Sequence, residues 1–129
     1  EPSGAWIWPE ATLCPDGPLA AIRLAVLAAA KPIGTRLEAI PSYPIRRASI
    51  ECEDKEATMA AVETQVLEHY DTVETLDGVR VELDAGWFLI RASGTQPLVR
   101  LTAEARSERR ADELLAEARA LVEDAESGG

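Results

Sequence analysis

The residues best equipped for chemistry lie in one stretch, Arg91-Ala92-Ser93-Gly94-Thr95-Gln96-Pro97, with Arg100 just beyond it. Arginine carries a planar, permanently charged fork that can hold two oxygens of a phosphate at once. Ser93 and Thr95 add hydroxyl donors. A glycine at position 94 is expected to let the backbone turn its N–H groups toward an anion. The chemistry this predicts is capture of a phosphate group. A Ser-Gly-Thr turn between two strands is also an ordinary hairpin connection, and the loop alone leaves both readings open.

The elements around the stretch must position it. Gly86-Trp87-Phe88-Leu89-Ile90 precedes it and Leu98-Val99-Arg100-Leu101-Thr102 follows it. Both runs are apolar and rich in β-formers, which predicts strands over 87–91 and 98–105 with the polar segment as their loop. Further strands are expected at 45–53, 73–76 and 79–83, with turns at Asp77-Gly78 and Asp84-Ala85-Gly86. Met59, Val62, Val66 and Tyr70 recur at helical spacing, so 56–70 reads as an amphipathic helix with that stripe in the core. Ser107 is a natural N-cap for a last helix that turns Leu114, Leu115, Ala118, Leu121 and Val122 inward, with Gly128-Gly129 at its end. Strand, helix, several strands, helix gives an α+β class: a mainly antiparallel sheet of four to five strands with helices packed on one face.

Residues 1–40 read differently. Ala5-Trp6-Ile7-Trp8 is a short strand candidate stopped by Pro9, and Asp16 is a plausible cap for a helix running to about Ala30, before Pro32. A helical turn and the breakers Pro41-Ser42-Tyr43-Pro44 then lead into the second part. One strand cannot complete a sheet, so this segment alone leaves apolar surface bare.

Composition narrows the class. A chain of 129 residues that is 47% apolar can bury one sizeable core, and no run approaches the roughly 20 apolar residues of a membrane span. The formal charge of −10, with no long basic stripe and with Arg46-Arg47 and Arg109-Arg110 no more than pairs, argues against a nucleic-acid partner. In so acidic a chain, a phosphate site needs a locally positive pocket, which gives Arg91 its weight. The two cysteines, Cys14 and Cys52, imply no disulfide scaffold and show no zinc spacing. With no secretory signal in view, a cytoplasmic address is the expectation. His69, at a helix end, reads as a favourable C-terminal charge. Glu104, Glu108, Asp112 and Glu113 read as a solvated acidic face.

Four segments, in order, resemble one family. Residues 91–97 are similar to the R-P-S-G-T-E-P loop near the C-terminus of the α-D-phosphohexomutases, which include phosphoglucomutase, phosphomannomutase and phosphoglucosamine mutase. Asp77-Gly78-Val79-Arg80-Val81 with Gly86-Trp87 resembles the run just ahead of that loop. Glu1-Pro2-Ser3-Gly4 resembles the tail of the family's G-E-x-S-G sugar-recognition loop, and Asp16-Gly17-Pro18-Leu19-Ala20-Ala21 the D-G-I/L-L-A-A helix start after it. Three departures stand out: Ala92 for the usual proline, Gln96 for glutamate, and Ala5 where histidine often follows the glycine. The first removes a fixed φ angle and so some loop rigidity.

The resemblance implies a TBP-like fourth domain at 41–129, preceded at 1–40 by the end of the third, sugar-binding domain. It implies substrate phosphate contacts from Arg91, Ser93, Gly94, Thr95 and, where the family often keeps a second basic residue, Arg100. Glu1 and Ser3 would read sugar hydroxyls, a carboxylate being able to accept from two neighbours. The family exchanges phosphate between the 1- and 6-positions of a hexose or hexosamine phosphate through a phosphoserine and Mg2+. Neither a T-A/S-S-H-N-P-like serine loop nor a D-G-D-A/G-D-R metal loop occurs in the chain. It is therefore expected to be inactive alone and to work with the remaining domains of a longer enzyme. A stand-alone, non-catalytic phosphate- or phosphosugar-binding module is the alternative.

Overall fold

Residues 5–128 are described by the computed structural model, and the chain divides into two compact units, Glu1–Pro41 and Ser42–Gly129. In the first, Asp16 caps α1 (Gly17–Ala30) by accepting from the Leu19 amide at 2.8 Å, and α2 (Ile33–Leu37) follows Pro32. The strand expected at residues 5–8 does not form. Trp8 makes only an isolated bridge to Thr12, because the chain turns straight back and the Ala11 and Thr12 amides donate to the Trp8 carbonyl. Among the described residues no extended neighbour lies alongside to build a ladder. α1 is apolar apart from Arg23 yet buries only Ala20, while Ile22, Leu24, Val26 and Leu27 are exposed. A helix of that kind is normally enclosed by other protein.

The second unit holds the core. Its elements are β1 (Ile45–Glu51), α3 (Lys55–His69), β2 (Val73–Glu74), β3 (Val79–Leu83), β4 (Gly86–Ala92), β5 (Leu98–Ala105) and α4 (Glu108–Ser127). The strands form one antiparallel sheet in the order β1-β5-β4-β3-β2. Alternation along them turns Val79, Val81, Phe88, Ile90, Val99, Leu101 and Ala103 to one face, all fully buried. α3 and α4 cover that face with Val62, Val66, Ala111, Leu114, Ala118 and Val122. Each large aliphatic or aromatic side chain enclosed this way contributes about 1.5–3 kcal/mol. Tyr70 closes one end: its ring meets Phe88 edge-on at 5.7 Å, and its hydroxyl donates to Glu117 at 2.6 Å.

Several boundaries differ from expectation, and three have a clear local reason. β1 stops at Glu51 instead of reaching 53, because Asp54 caps α3 through the Ala57 amide and draws the chain out of the ladder. α3 therefore begins one residue early, at Lys55. β2 keeps only Val73 and Glu74, because its pairing with β3 involves just Val81 and Arg80. At the other end of the unit, Ser107 caps α4 as expected, accepting from the Arg110 amide at 3.2 Å.

Candidate functional site

The β4–β5 hairpin carries the loop at its tip. Arg91 and Arg100 lie directly opposite each other in the ladder, and Ala92 opposes Val99 in the next row. The buried rows Ile90–Leu101 and Ala92–Val99 face the helices, so the Arg91–Arg100 row stands on the open face of the sheet. Arg47 in β1 and Arg80 in β3 share that face, two rows further from the loop. Four arginines thus gather on one side of a strongly acidic chain. Two like charges opposite each other in a ladder repel, so the Arg91–Arg100 row is poised to accept negative charge. Arg91 is steadied by Asp77, with Nη1 to Oδ2 at 2.7 Å, and Arg100 donates to the Gln96 side chain at 3.2 Å. Arg80 lies over the Trp87 ring at 4.5 Å.

Hydrogen bonding gives the loop a direction. The Ser93 amide closes the hairpin on the Leu98 carbonyl at 2.9 Å, and the Leu98 amide donates to the Gln96 carbonyl at 2.9 Å. Lys55 Nζ, from the first turn of α3, donates to the Ser93 carbonyl at 2.6 Å and the Gln96 carbonyl at 3.0 Å. The Pro97 carbonyl accepts from the Cys52 amide at 3.0 Å. Carbonyls 93, 96 and 97 are thereby taken up on the protein side. The amides of Gly94, Thr95 and Gln96 donate to no group among the described residues. Successive unspent amides between two guanidinium groups are donors of the kind that bind anions.

Two of the predicted site residues behave differently from expectation. Gly94 does not use glycine's left-handed freedom: its φ is not positive, and a Cβ built on it meets nothing within 4 Å. What the missing side chain leaves is open space beside the backbone. Ser93 is 4% exposed, and its Oγ is buried without a hydrogen-bond partner among the described residues. An unsatisfied buried hydroxyl costs about 1–3 kcal/mol, a debt that a bound oxyanion can relieve. Thr95 is exposed beside it. Glu1 and Ser3, the expected sugar readers, lie outside the described residues.

Lys55 is the residue sequence reasoning missed. It is one of only two lysines, but it stands 38 positions from Ser93, and no spacing rule links the two. A separate open cleft of about 1000 Å3 lies between the end of β1, α3 and the end of α4. Glu51, Glu53, Asp54, Asp124 and Glu126 line it, a sign of charge that repels phosphate. Among the described residues no three His, Cys, Asp or Glu side chains group so as to hold a metal ion, and no helix is long and apolar enough to cross a membrane.

A five-stranded antiparallel sheet backed by two helices, with an arginine-flanked loop at the tip of an inner hairpin, defines an α+β domain. Residues 48–121 match the family model of the phosphoglucomutase/phosphomannomutase C-terminal domain, and the chain belongs to that family. It is 51% identical over 118 residues to a probable phosphoglucosamine mutase of Methanopyrus kandleri, spanning 88% of this chain and 26% of that relative. A second probable phosphoglucosamine mutase, from Methanothermobacter thermautotrophicus, is 42% identical over 118 residues, 86% of this chain and 26% of its own length. The crystal structure of a phosphoglucomutase/phosphomannomutase family protein from Burkholderia thailandensis superimposes with a TM-score of 0.72 at 26% identity, covering 90% of this chain and 25% of that one. The chain thus spans about a quarter of the length of the relatives it matches.

Proposed function

We propose that this chain is the C-terminal part of a phosphohexomutase acting on a hexosamine phosphate, and that its 91–95 loop grips the substrate's phosphate. The observation that carries this reading is the loop's polarity: the Ser93, Gln96 and Pro97 carbonyls are spent on Lys55 and Cys52, and the unspent amides of residues 94–96 lie between Arg91 and Arg100. Arg91 would hold phosphate oxygens bidentately, with Gly94 and Thr95 amides and the Ser93 and Thr95 hydroxyls completing the shell. Arg100 would add charge from the neighbouring strand.

In a 1-phosphate/6-phosphate exchange the sugar must present either end to the same reacting serine. A fixed grip on the phosphate that is not reacting supplies that orientation. Residues 1–40 would be the end of a sugar-binding domain, with Glu1 and Ser3 reading hydroxyls, and residues 41–129 the phosphate-binding domain. The probable phosphoglucosamine mutases among the relatives favour the amino sugar as substrate. The phosphoserine and the Mg2+ that activates its phosphate would come from parts of the enzyme beyond this chain, so the chain alone would not turn substrate over.

The test is a titration of the 129-residue chain with inorganic phosphate and with glucosamine 6-phosphate, followed by backbone amide NMR. Shifts at residues 91–96 that disappear in Arg91→Ala support the grip. An unperturbed loop at tens of millimolar ligand refutes it. Turnover of glucosamine 1-phosphate by the chain itself would refute the division of labour.

A further inference from the structure

Lys55 sits behind the loop, with two of its three ammonium donors spent on loop carbonyls. That commitment fixes more than the carbonyls. A trans peptide is planar, and its C=O and N–H point in opposite directions. Holding the Ser93 carbonyl on Lys55 therefore aims the Gly94 N–H of the same peptide away from Lys55. The second carbonyl, that of Gln96, belongs to the peptide preceding Pro97, which has no N–H. Anchoring there pins the loop's return without diverting a donor. Gly94 is also the position with nothing within 4 Å of a Cβ, so the amide that Lys55 aims has open space beside it.

Resting on the reading of the loop as a phosphate grip, we infer that Lys55 is a positioning residue for phosphate binding: it orients the Gly94 amide and places a fixed positive charge behind it. It acts through the loop backbone, to which two of its three donors are committed. Its place at the start of α3 makes the role rigid. Asp54 caps that helix through the Ala57 amide, and Val62 and Val66 anchor it in the core. Helix, lysine and loop form one mechanical unit in which α3 sets the geometry of a site it does not itself line.

The inference is tested on the 129-residue chain with Lys55→Met, Lys55→Arg and Arg91→Ala, each titrated with inorganic phosphate by NMR alongside a thermal melt. In the wild type the Gly94 amide proton moves downfield as phosphate binds. Lys55→Met is expected to lose that signature and about tenfold in affinity, the scale of a charged hydrogen bond. Lys55→Arg, which can still donate to both carbonyls, should restore the Gly94 shift and bring affinity to within about threefold of wild type. Lys55→Met with a lowered Tm but wild-type affinity and Gly94 shift would make the lysine a mere structural strut and overturn the inference. Should Lys55→Met fail to fold, Lys55→Gln keeps one neutral donor. Weakened binding there supports the role, and unchanged binding overturns it. A wild type that binds phosphate, an Arg91→Ala that does not, and Lys55 variants indistinguishable from wild type would defeat this inference alone. No phosphate shifts in the wild type would defeat the phosphate reading and this one together.

Discussion

The Asp77 carboxylate accepts from Arg91 Nη1 at 2.7 Å, which ties the arginine of the loop to the turn between β2 and β3. Both side chains are substantially exposed, so the pair contributes at most about 1 kcal/mol to stability. Its larger effect is on the ligand. It steadies the guanidinium but sets a negative charge beside the place where a phosphate would bind. Asp77→Asn keeps an acceptor for Arg91 and removes that charge. At about 7 Å in water a unit charge is worth roughly 0.6 kcal/mol, so phosphate affinity should rise about threefold at low salt. The gain should shrink as salt is added. A weaker affinity, measured by the same titration, would make Asp77 chiefly an orienting group.

Gly78 and Gly94 should respond in opposite ways to alanine. Gly78 has φ +86°, and a Cβ there would press on the Ile90 carbonyl oxygen and the Arg91 side chain. Gly78→Ala should therefore cost about 2–3 kcal/mol, read from the denaturant midpoint. Gly94→Ala meets no neighbour and needs no unusual φ, so stability should stay within about 0.5 kcal/mol of wild type. Its methyl group would occupy the space beside the Gly94 amide, and phosphate binding should weaken while the midpoint holds. Equal loss of stability in both variants would remove the distinction drawn between the two glycines.

The contrast between these glycines also marks what can be read from the chain directly. β5 and α1 end where alternation, capping and proline say they should, because those signals are local. Asp16 and Ser107 cap as their residue types predict. The strand expected at Ala5–Trp8 fails because a strand needs a partner, and composition cannot report whether one is present. β1 ends early because Asp54 competes for the chain as a helix cap. At the site, Arg91, Ser93, Gly94, Thr95 and Arg100 are all read from residue type, and the family resemblance names the same five. The loop's polarity is not legible. It comes from side-chain-to-backbone bonds such as Lys55 to Ser93 and from Cys52 to Pro97, which leave no periodic trace. Gly94 was expected for its φ freedom, and the structure instead gives it a steric role.

Tyr70 supplies a pH dependence of stability. Burial, and then the hydrogen bond and negative charge of Glu117, push its phenol well above the ordinary value near 10. The protonated phenol is thus favoured by folding. Its contribution is complete below the unfolded value and is lost as pH rises through about 10 toward the higher folded value. The urea midpoint of the wild type should fall between pH 9.5 and 11.5, as a rough window, more steeply than that of Tyr70→Phe. Below pH 9 the variant should be the less stable, by about 0.5–1.5 kcal/mol for the lost hydrogen bond to Glu117. Parallel pH profiles for the two proteins would show that Tyr70 titrates no differently in the folded and unfolded chains.

The core predicts which part of the chain carries stability. Every buried apolar side chain except Ala20 comes from Ser42–Gly129, while α1 leaves Ile22 63% and Val26 66% exposed. A chain restricted to residues 42–129 should fold cooperatively, with a Tm within about 4 °C of the 129-residue chain and the same amide shifts on adding phosphate. It should also remain monomeric at concentrations where the longer chain associates, because α1 presents a contiguous apolar surface. Sedimentation velocity over a concentration series distinguishes the two chains directly. Association that persists without residues 1–41 would move the sticky surface to the second unit, and the open sheet face around Leu89 and Trp87 would be the place to substitute next. A truncated chain that failed to fold would show that the first unit stabilises the second, and the 42–129 segment could then not be treated as an independent phosphate-binding domain.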